Sequence, residues 1–384
     1  MTDSRRAEWG LMACQPPAAF LSIKTQFDNI GDALINRELC RLVASRADTW
    51  VDFSRAPENF ERAMGVSSLP NLTTLRRWGF ARLLREIIRQ RLSGRACYLF
   101  LNPGGLGGSR LSLKGRLSAT TYNILLSAMR IAGVRICHAG ISFDPMRAPE
   151  LLIARWRRRL LHSFTVRDSL SLRYVDSVGM PADSIVPDLS FNLYSAPVPS
   201  ANAPRRHIAF SFRFDGKSTN DAIKHAVRRV IETNGADCEY LFVAQVSRDM
   251  SGMKRLSAIA TEAGAAARVI SCVDDIDGLC DVYSTCRAIF SNRLHALLMA
   301  AHAGAIPFAL ISRGQQPKIE GMFEDLGLGQ WLIDVDAVAD WQMPEEFDRN
   351  VLEAQCVALQ SHFDTLLQSP RCVSADSRSE KLSP

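Results

Sequence analysis

Short apolar runs recur along the chain, and most are followed by a stretch whose apolar residues have helical spacing. In the first half these runs occupy residues 20–23, 97–101, 134–141, 164–166 and 185–191. In the second half they occupy residues 208–214, 240–246, 269–273, 288–290, 306–311 and 331–335. Continuous apolar strands that alternate with helices are typical of parallel sheets covered on both faces. The pattern therefore predicts an α/β fold with two mostly parallel sheets.

A proline-rich stretch separates the two series of strands. Residues 195–206 contain three prolines and no apolar periodicity, which indicates a semi-rigid linker. A chain of 384 residues also exceeds what one hydrophobic core usually supports. We predict an N-terminal extension at 1–17, an α/β domain at 18–195, a linker at 196–206, a second α/β domain at 207–368 that ends in a helix, and a disordered tail at 369–384. Two such domains face each other across a cleft, where ligands bind at the carboxyl ends of strands.

The cysteines, the N-terminal residues and the most apolar segment predict the cellular compartment of the protein. None of the ten cysteines forms a Cys-x-x-Cys pair, and most lie in apolar runs, so neither a zinc site nor a disulfide framework is expected. The first ten residues are polar and charged, unlike a signal peptide. Residues 295–311 are interrupted by Gly304 and Pro307, which favours a helix and a strand over a membrane span. We expect a reduced, cytoplasmic protein that does not cross a membrane.

The net charge is +6, and arginine dominates its basic side. The planar arginine fork suits carboxylate and phosphate groups. Nucleic acid is not expected as a partner, because the charge is spread out and few aromatic residues interleave with it. The basic stretches 75–91 and 155–161 have helical spacing typical of solvated helix faces. The alternative for these stretches is peripheral contact with the anionic inner surface of the membrane.

Two loops in the first half follow predicted strands. Asn29, Gly31 and Asp32 precede or open a helix that runs to about residue 44, so backbone N–H groups and the helix dipole favour an anion there. For Asp32 alone, we favour a plain helix cap. Gly104 and Gly105 belong to a loop with four glycines in five positions, which serves either as a ligand contact or as a tight turn.

Basic residues end three further strands. Arg167 follows the strand at 164–166 and precedes Asp168, which is placed to cap the next helix. A cation at the carboxyl end of a buried strand suits a substrate clamp. Arg213 ends the first strand of the second half, and Lys318 follows the strand at 306–311. We expect both to face the same cleft.

The sharpest motif consists of Ser291, Asn292, Arg293, Leu294 and His295, between a strand and a helix that ends before Gly304. Ser291 or Asn292 is placed to cap this helix, which leaves Arg293 and His295 in its first turn. A guanidinium, an imidazole and a helix N-terminus then converge on an anion. His302, seven residues after His295, is predicted to be packed or solvated instead.

In this order, the motifs resemble the polysaccharide pyruvyl transferase family. The matching segments are 29–32, 104–105, 166–169, 186–191 and 291–296, together with Lys318. The resemblance runs from about residue 20 to residue 328, which is most of the chain. The loop at 102–105 is less glycine-dense at its start than the usual form. The resemblance implies two Rossmann-like domains arranged around a cleft as in GT-B glycosyltransferases.

The resemblance also implies an activity and roles for residues. It implies transfer of a pyruvyl group from phosphoenolpyruvate to two hydroxyls of one sugar in a surface polysaccharide or its precursor, with formation of a cyclic ketal. The first domain is expected on the acceptor side and the second on the phosphoenolpyruvate side. His295 is the expected proton donor, and Arg293 and Arg167 the expected anion clamps. No cofactor or metal is expected, and the acceptor is a sugar or a lipid-linked oligosaccharide.

Two other functions remain open at this point. A GT-B glycosyltransferase shares the architecture and uses basic residues to bind the diphosphate of a nucleotide sugar. A protein without catalytic activity, which binds a sugar or an anion within a polysaccharide assembly, is the other alternative. The donor that the protein uses distinguishes a glycosyltransferase from a pyruvyl transferase. Turnover of any donor distinguishes both enzymes from a binding protein without catalytic activity.

Overall fold

The computed structural model describes residues 15–108, 110–198, 205–214, 217–272, 274–335 and 347–368, and its strands form two parallel sheets. The first sheet has the order β3-β2-β1-β4-β6-β7-β8, and a short β5 pairs with β6. Its strands are β1 (Ala18–Ser22), β2 (Asp48–Asp52), β3 (Leu72–Leu75), β4 (Cys97–Phe100), β5 (Gly105–Leu106), β6 (Arg135–Phe143), β7 (Ser163–Val166) and β8 (Ser184–Ile185). The connecting helices are α1 (Ile30–Ala44), α2 (Glu58–Met64), α3 (Gly79–Leu92), α4 (Leu113–Ile131), α5 (Ala148–Leu160) and α6 (Ser169–Ser177).

The second sheet has the order β11-β10-β9-β12-β13-β14. Its strands are β9 (His207–Ser211), β10 (Glu239–Ala244), β11 (Ala267–Ser271), β12 (Cys286–Ser291), β13 (Ile306–Ile311) and β14 (Leu332–Asp334). The helices are α7 (Lys217–Asn234), α8 (Met250–Glu262), α9 (Ile276–Ser284), α10 (Leu294–His302), α11 (Pro317–Asp325) and α12 (Asn350–Leu367). The fold class predicted from the apolar pattern is confirmed.

The central strands are buried along their whole length, as the continuous apolar runs predicted. Every residue of β4 and of β13 is buried. Cys97 and Cys137 pack in the core as small apolar groups, and burial raises the pKa of the Cys97 thiol to about 11. The segment 295–311 divides into α10 and β13, as expected. In the part of the chain that the structure describes, no helix has the length and hydropathy of a membrane span.

The predicted strand at 185–191 is wrong over most of its length. Only the two residues of β8 pair with β7, and a 3₁₀ helix occupies Leu189–Ser195. Pro187 has no N–H group for a ladder, and the side chain of Asp188 accepts a hydrogen bond from the backbone N–H of Ser190 at 2.9 Å. These two residues turn the chain out of the sheet.

The capping prediction for Asp32 is also wrong. Asn29 is the N-cap of α1, and its Oδ1 atom accepts a hydrogen bond from the Gly31 N–H at 3.1 Å. The Asp32 carboxylate instead accepts from the Thr25 hydroxyl at 2.6 Å and from the Gln26 N–H at 3.1 Å. Asp32 therefore fixes the loop that precedes the helix. Asp168 caps α6, as predicted, by accepting from the Ser171 N–H at 2.6 Å.

The closing helix α12 packs against the first sheet rather than the second. Phe363 stacks on Phe100 of β4 with ring centroids 6.0 Å apart. Gln360 donates to Asn192 at 3.3 Å, and Asp364 pairs with Arg46 at 2.7 Å. The predicted second domain, 207–368, thus contains a helix whose contacts belong to the first. The predicted extension, linker and tail lie largely outside the described residues.

Candidate functional site

A cavity of about 410 Å³ lies between the two sheets, at the carboxyl ends of their strands. The first half contributes Asn29, Asp144 and Arg167, which follow β1, β6 and β7. The second half contributes Arg213, Gln245, Asn292, Arg293, Leu294, His295 and residues 315–319, which follow β9, β10, β12 and β13. The structure therefore brings together most of the residues that the motifs selected, from both halves of the sequence.

The imidazole of His295 lies between the two halves of the molecule. It belongs to the first turn of α10, as predicted, and its side chain is 16% exposed. Its Nε2 atom is 3.7 Å from the Oδ1 atom of Asp188. On its other edge, a Cβ atom added to Gly31 would lie only 2.4 Å from Nδ1. Position 31 therefore requires glycine, because any side chain there would occupy the position of the imidazole.

Asp188 also holds Arg167, so one carboxylate organises two predicted catalytic residues. Arg167 Nη1 donates to Asp188 Oδ2, and the Ser190 hydroxyl donates to Asp188 Oδ1 at 2.6 Å. Burial opposes ionisation of Asp188, but Arg167, His295 and Ser190 outweigh burial and hold the pKa of this carboxyl well below its ordinary value. Asp188 is therefore an ionised carboxylate at neutral pH, and it lies between the Arg167 guanidinium and the His295 imidazole.

Arg293 occupies the N-cap position of α10, one residue earlier than predicted. The Ser291 hydroxyl accepts from its N–H at 3.0 Å, and its guanidinium donates to the buried Asp249. Burial lowers the pKa of the Arg293 guanidinium, and Asp249 opposes that shift, while Arg213 and Arg248 add to it. An arginine remains charged in spite of such a shift. Arg293 and Arg213 both line the cavity, and guanidinium groups in such a position suit an anion.

Ser291 and Asn292 hold the loops of the site together through hydrogen bonds. The Ser291 hydroxyl is fully buried and donates to the Ser211 carbonyl. The Asn292 side chain accepts from the Arg213 N–H at 2.7 Å and donates to the Arg213 carbonyl at 2.9 Å. These bonds tie the loop after β9 to the loop after β12. Both residues were predicted to bind substrate; Asn292 lines the cavity, and the hydrogen bonds of the two residues also position Arg213 and Arg293.

Lys318 reaches the cavity from the start of α11. Its Nζ atom pairs with Asp144 Oδ2 at 2.8 Å, and a Cβ atom added to Gly105 would lie 2.8 Å from the same nitrogen. Gly104 has φ +119°, which L side chains rarely adopt, and its carbonyl accepts from the Ser142 N–H at 3.1 Å. Gly104 thus leads into the short strand β5, where the missing side chain of Gly105 lets Lys318 approach the backbone closely.

Sequence reasoning missed the acidic partners of the basic residues. Asp144, Asp188 and Asp249 each pair with a cation at the cavity, and Gln245 also contributes to the lining. Asp188 lies within the matched segment 186–191, directly after Pro187, which was the available signal. Asp249 and Asp144 gave none, because their partners are distant in sequence. Among the described residues, no three His, Cys, Asp or Glu side chains form a group that could hold a metal ion.

Two facing parallel sheets with a cationic cleft at their carboxyl ends define a GT-B-like protein, and solved structures agree. The Anabaena protein HepE, solved with UDP and glucose, superposes with a TM-score of 0.50 at 12% identity, over 92% of this chain and 96% of that one. S. aureus MnaA, solved with UDP, gives 0.50 at 11% identity, over 90% and 91%. At this identity the similarity concerns the fold alone.

The family model named polysaccharide pyruvyl transferase matches residues 29–314. The chain therefore belongs to the polysaccharide pyruvyl transferase family. No curated protein sequence matches this chain.

Proposed function

We propose that this protein transfers a pyruvyl group from phosphoenolpyruvate to two hydroxyls of one sugar, in a surface polysaccharide or its precursor, with release of phosphate. The observation that carries this proposal is the grouping of His295, Arg167 and Arg293 around one small cavity. Phosphoenolpyruvate carries a carboxylate and a phosphate, and guanidinium groups bind both in bidentate fashion. In addition to these guanidinium groups, the reaction needs one acid that protonates the methylene carbon of phosphoenolpyruvate.

The chemistry requires protonation of the methylene carbon and then two additions to its neighbour. His295 donates a proton to C3 of phosphoenolpyruvate, which becomes a methyl group and leaves cationic character at C2. One sugar hydroxyl adds to C2 and loses its proton. The C2–O bond to phosphate then breaks, a second hydroxyl adds, and the cyclic ketal forms. Of the two protons lost by the sugar, one restores His295 and the other leaves with phosphate.

The surrounding residues contribute position and charge. Arg167 and Arg293 hold the donor and stabilise the negative charge that grows on the leaving phosphate. Asp188 orients the imidazole and balances its charge when it is protonated. Lys318 and Arg213 also belong to the lining of the cavity. No step in this scheme uses a cofactor.

The lining of the cavity favours this donor over a nucleotide sugar. Similar folds were solved with UDP, so a nucleotide sugar is the competing donor. A nucleoside base usually stacks on an aromatic or apolar surface. No Phe, Tyr or Trp is among the described residues that line the cavity, whose side chains are mostly charged or amide groups.

The test is a comparison of donors with the purified protein. Phosphate release from phosphoenolpyruvate should depend on a sugar acceptor, and the product should gain the mass of a pyruvyl ketal. UDP-glucose should release no UDP under the same conditions. The variant His295→Ala should lose about 100-fold or more of the rate. His225→Ala, at an exposed histidine of α7, is the matched control and should keep it.

The outcomes separate the proposals. Release of UDP with sugar transfer would identify a glycosyltransferase instead. Calorimetry that shows binding of phosphoenolpyruvate without turnover on several acceptors would support a binding protein without catalytic activity.

A further inference from the structure

The outward side of α4 is apolar, which is the reverse of what a solvent-facing helix normally shows. Leu113, Leu117, Ile124 and Ile131, here called the α4 stripe, are 73%, 62%, 58% and 87% exposed. Their spacings of four and seven residues place them on one side of the helix. The buried residues Asn123, Leu126 and Met129 lie on the opposite side and pack toward the first sheet. No described residue covers the α4 stripe.

Further large apolar side chains extend this surface over the two neighbouring helices. Arg91 of α3 donates to the carbonyl of Ala132 at the end of α4, and α5 packs along α4. On α3 and the residue before it, Trp78, Ile88 and Leu92 are exposed, and on α5 Leu152 is exposed. Contiguous apolar patches of this kind mark interaction surfaces.

The same region carries more positive charge than the net charge of the whole protein. Residues 76–160 contain 17 Arg and Lys but only 3 Asp and Glu, whereas the whole chain has a net charge of +6. The rest of the chain is therefore net acidic. Around the α4 stripe, the exposed cations are Arg77, Arg82, Arg85, Arg110, Lys114, Arg130, Arg147 and Arg159. Within the described part of the chain, the structure gives none of these eight an ion pair.

We propose that the outer surface of α3, α4 and α5 docks the protein on an anionic phospholipid bilayer, with the α4 stripe in the headgroup and acyl boundary. An amphipathic helix that lies in this boundary needs large apolar side chains flanked by Arg and Lys. Each basic residue near an anionic leaflet adds attraction, and an exposed Trp such as Trp78 suits the interface. Nucleic acid fits less well, because it offers no apolar surface for leucine and isoleucine.

The position of α4 connects this surface to the cavity. The loop that contains Gly105, next to Lys318, leads directly into α4, so the Leu113 end of the stripe lies at the cleft edge of the sheet. Docking at this surface brings the cleft close to the bilayer. The docking inference rests on the proposed transfer to a sugar. It adds that the acceptor sugar is linked to a lipid and held in the membrane.

Vesicle flotation with the full chain tests the docking. The protein should float with vesicles of phosphatidylcholine and phosphatidylglycerol at low salt, and it should bind far less to phosphatidylcholine alone. High salt should weaken the binding, because salt screens exposed charges. Two variants separate the contributions: Leu117→Ser with Ile124→Ser removes half of the stripe, and Lys114→Glu with Arg130→Glu removes charge.

The charge variant should bind more weakly by roughly fivefold or more for each cation lost. Matched controls are Val357→Ser on α12 and Arg228→Glu on α7, which are exposed positions away from this surface and should bind as the wild type does. Phosphate release with a water-soluble acceptor should stay unchanged in all four variants. A loss of vesicle binding with intact turnover thus separates the docking from the chemistry.

Four results would overturn the docking proposal. The first is absence of wild-type binding to anionic vesicles, and the second is binding by the stripe and charge variants that equals that of the wild type. The third is a wild-type dimer in light scattering that the stripe variant turns into a monomer, which would show that a second copy covers this surface. Tighter binding to an RNA oligomer than to vesicles would also contradict it.

Discussion

The Nε2 atom of His295, in the second half of the molecule, lies 3.7 Å from the Oδ1 atom of Asp188, in the first. The position of the proposed proton donor therefore depends on a carboxylate from the other half of the molecule. Asp188 also binds Arg167. A shift of Asp188 would therefore change the positions of both His295, the proposed acid, and Arg167, a proposed anion-binding residue.

Replacement of Asp188 should damage turnover more than binding. In Asp188→Asn, the Arg167 guanidinium loses its charged partner and the imidazole loses its orientation, so kcat should fall roughly 10- to 100-fold, as expected for loss of a charged hydrogen bond. Steady-state kinetics with phosphoenolpyruvate measure the split between kcat and KM.

Ser190→Ala is the control for this change, since it removes one hydrogen bond to Asp188 but leaves its charge. It should stay close to the wild type. Circular dichroism checks the fold of both variants, and a folded Asp188→Asn protein with unchanged kcat would contradict the role of Asp188. The acid limb of the kcat profile should also not come from Asp188, because its pKa lies well below the ordinary range.

A methyl group at position 31 should displace the imidazole. In Gly31→Ala, the new Cβ would lie 2.4 Å from His295 Nδ1, so the ring must move. A displacement on this scale costs about 100-fold in rate where a proton must be delivered precisely. Gly329→Ala is a matched control, because no atom lies within 4 Å of its added Cβ. Equal activity of the two variants would show that His295 does not act where the structure places it.

The guanidinium of Arg293 should matter through its shape as well as its charge. Arg293→Lys keeps a cation but loses the fork that reaches Asp249 and the donor at once. We expect the KM for phosphoenolpyruvate to rise roughly 10- to 100-fold, the cost of one charged hydrogen bond. Arg228→Lys, at an exposed position on α7, should change neither constant. An unchanged KM in Arg293→Lys would exclude the bidentate clamp.

Two buried histidines should make the fold sensitive to acid. Burial lowers the pKa of His138 to about 4 and that of His302 to about 4. Between pH 6.5 and 4 the unfolded chain binds protons that the folded protein does not, so the free energy of unfolding should fall as the pH falls. The slope is up to about 1.4 kcal/mol per pH unit for each histidine.

Urea unfolding at a series of pH values measures this slope. His302→Gln should reduce it, whereas His225→Gln should not, because the exposed side chain of His225 stays in water in both states. A slope that is the same in the wild type and in His302→Gln would contradict the prediction.

Much of the fold followed from the sequence because buried parallel strands have a strong apolar signature. All four residues of β7 and all six of β13 are buried, and these runs stood out. The strands β2 and β3 were missed because two of the five residues of β2 and three of the four of β3 are only partly buried or exposed, and polar residues such as Asp48 interrupt them. A strand with this mixture has no continuous run.

The basic half of the site was predictable, and the acidic half was not. Arg167, Arg293 and His295 follow strands directly, which places them at the carboxyl edge of a sheet. Asp249 lies in a 3₁₀ turn and reaches Arg293 through tertiary packing alone. For the same reason, sequence could not tell that the polar groups of Asn292 are used by the backbone of Arg213.

The return of α12 to the first sheet has a mechanical consequence. Because Phe363 is anchored on Phe100, the polypeptide joins the two halves twice, once before β9 and once before α12. Two connections between the halves oppose a free swivel and leave a bending motion as the softer mode. Opening the cleft would then move His295, the proposed acid, away from Asp188, and closing the cleft would restore their contact.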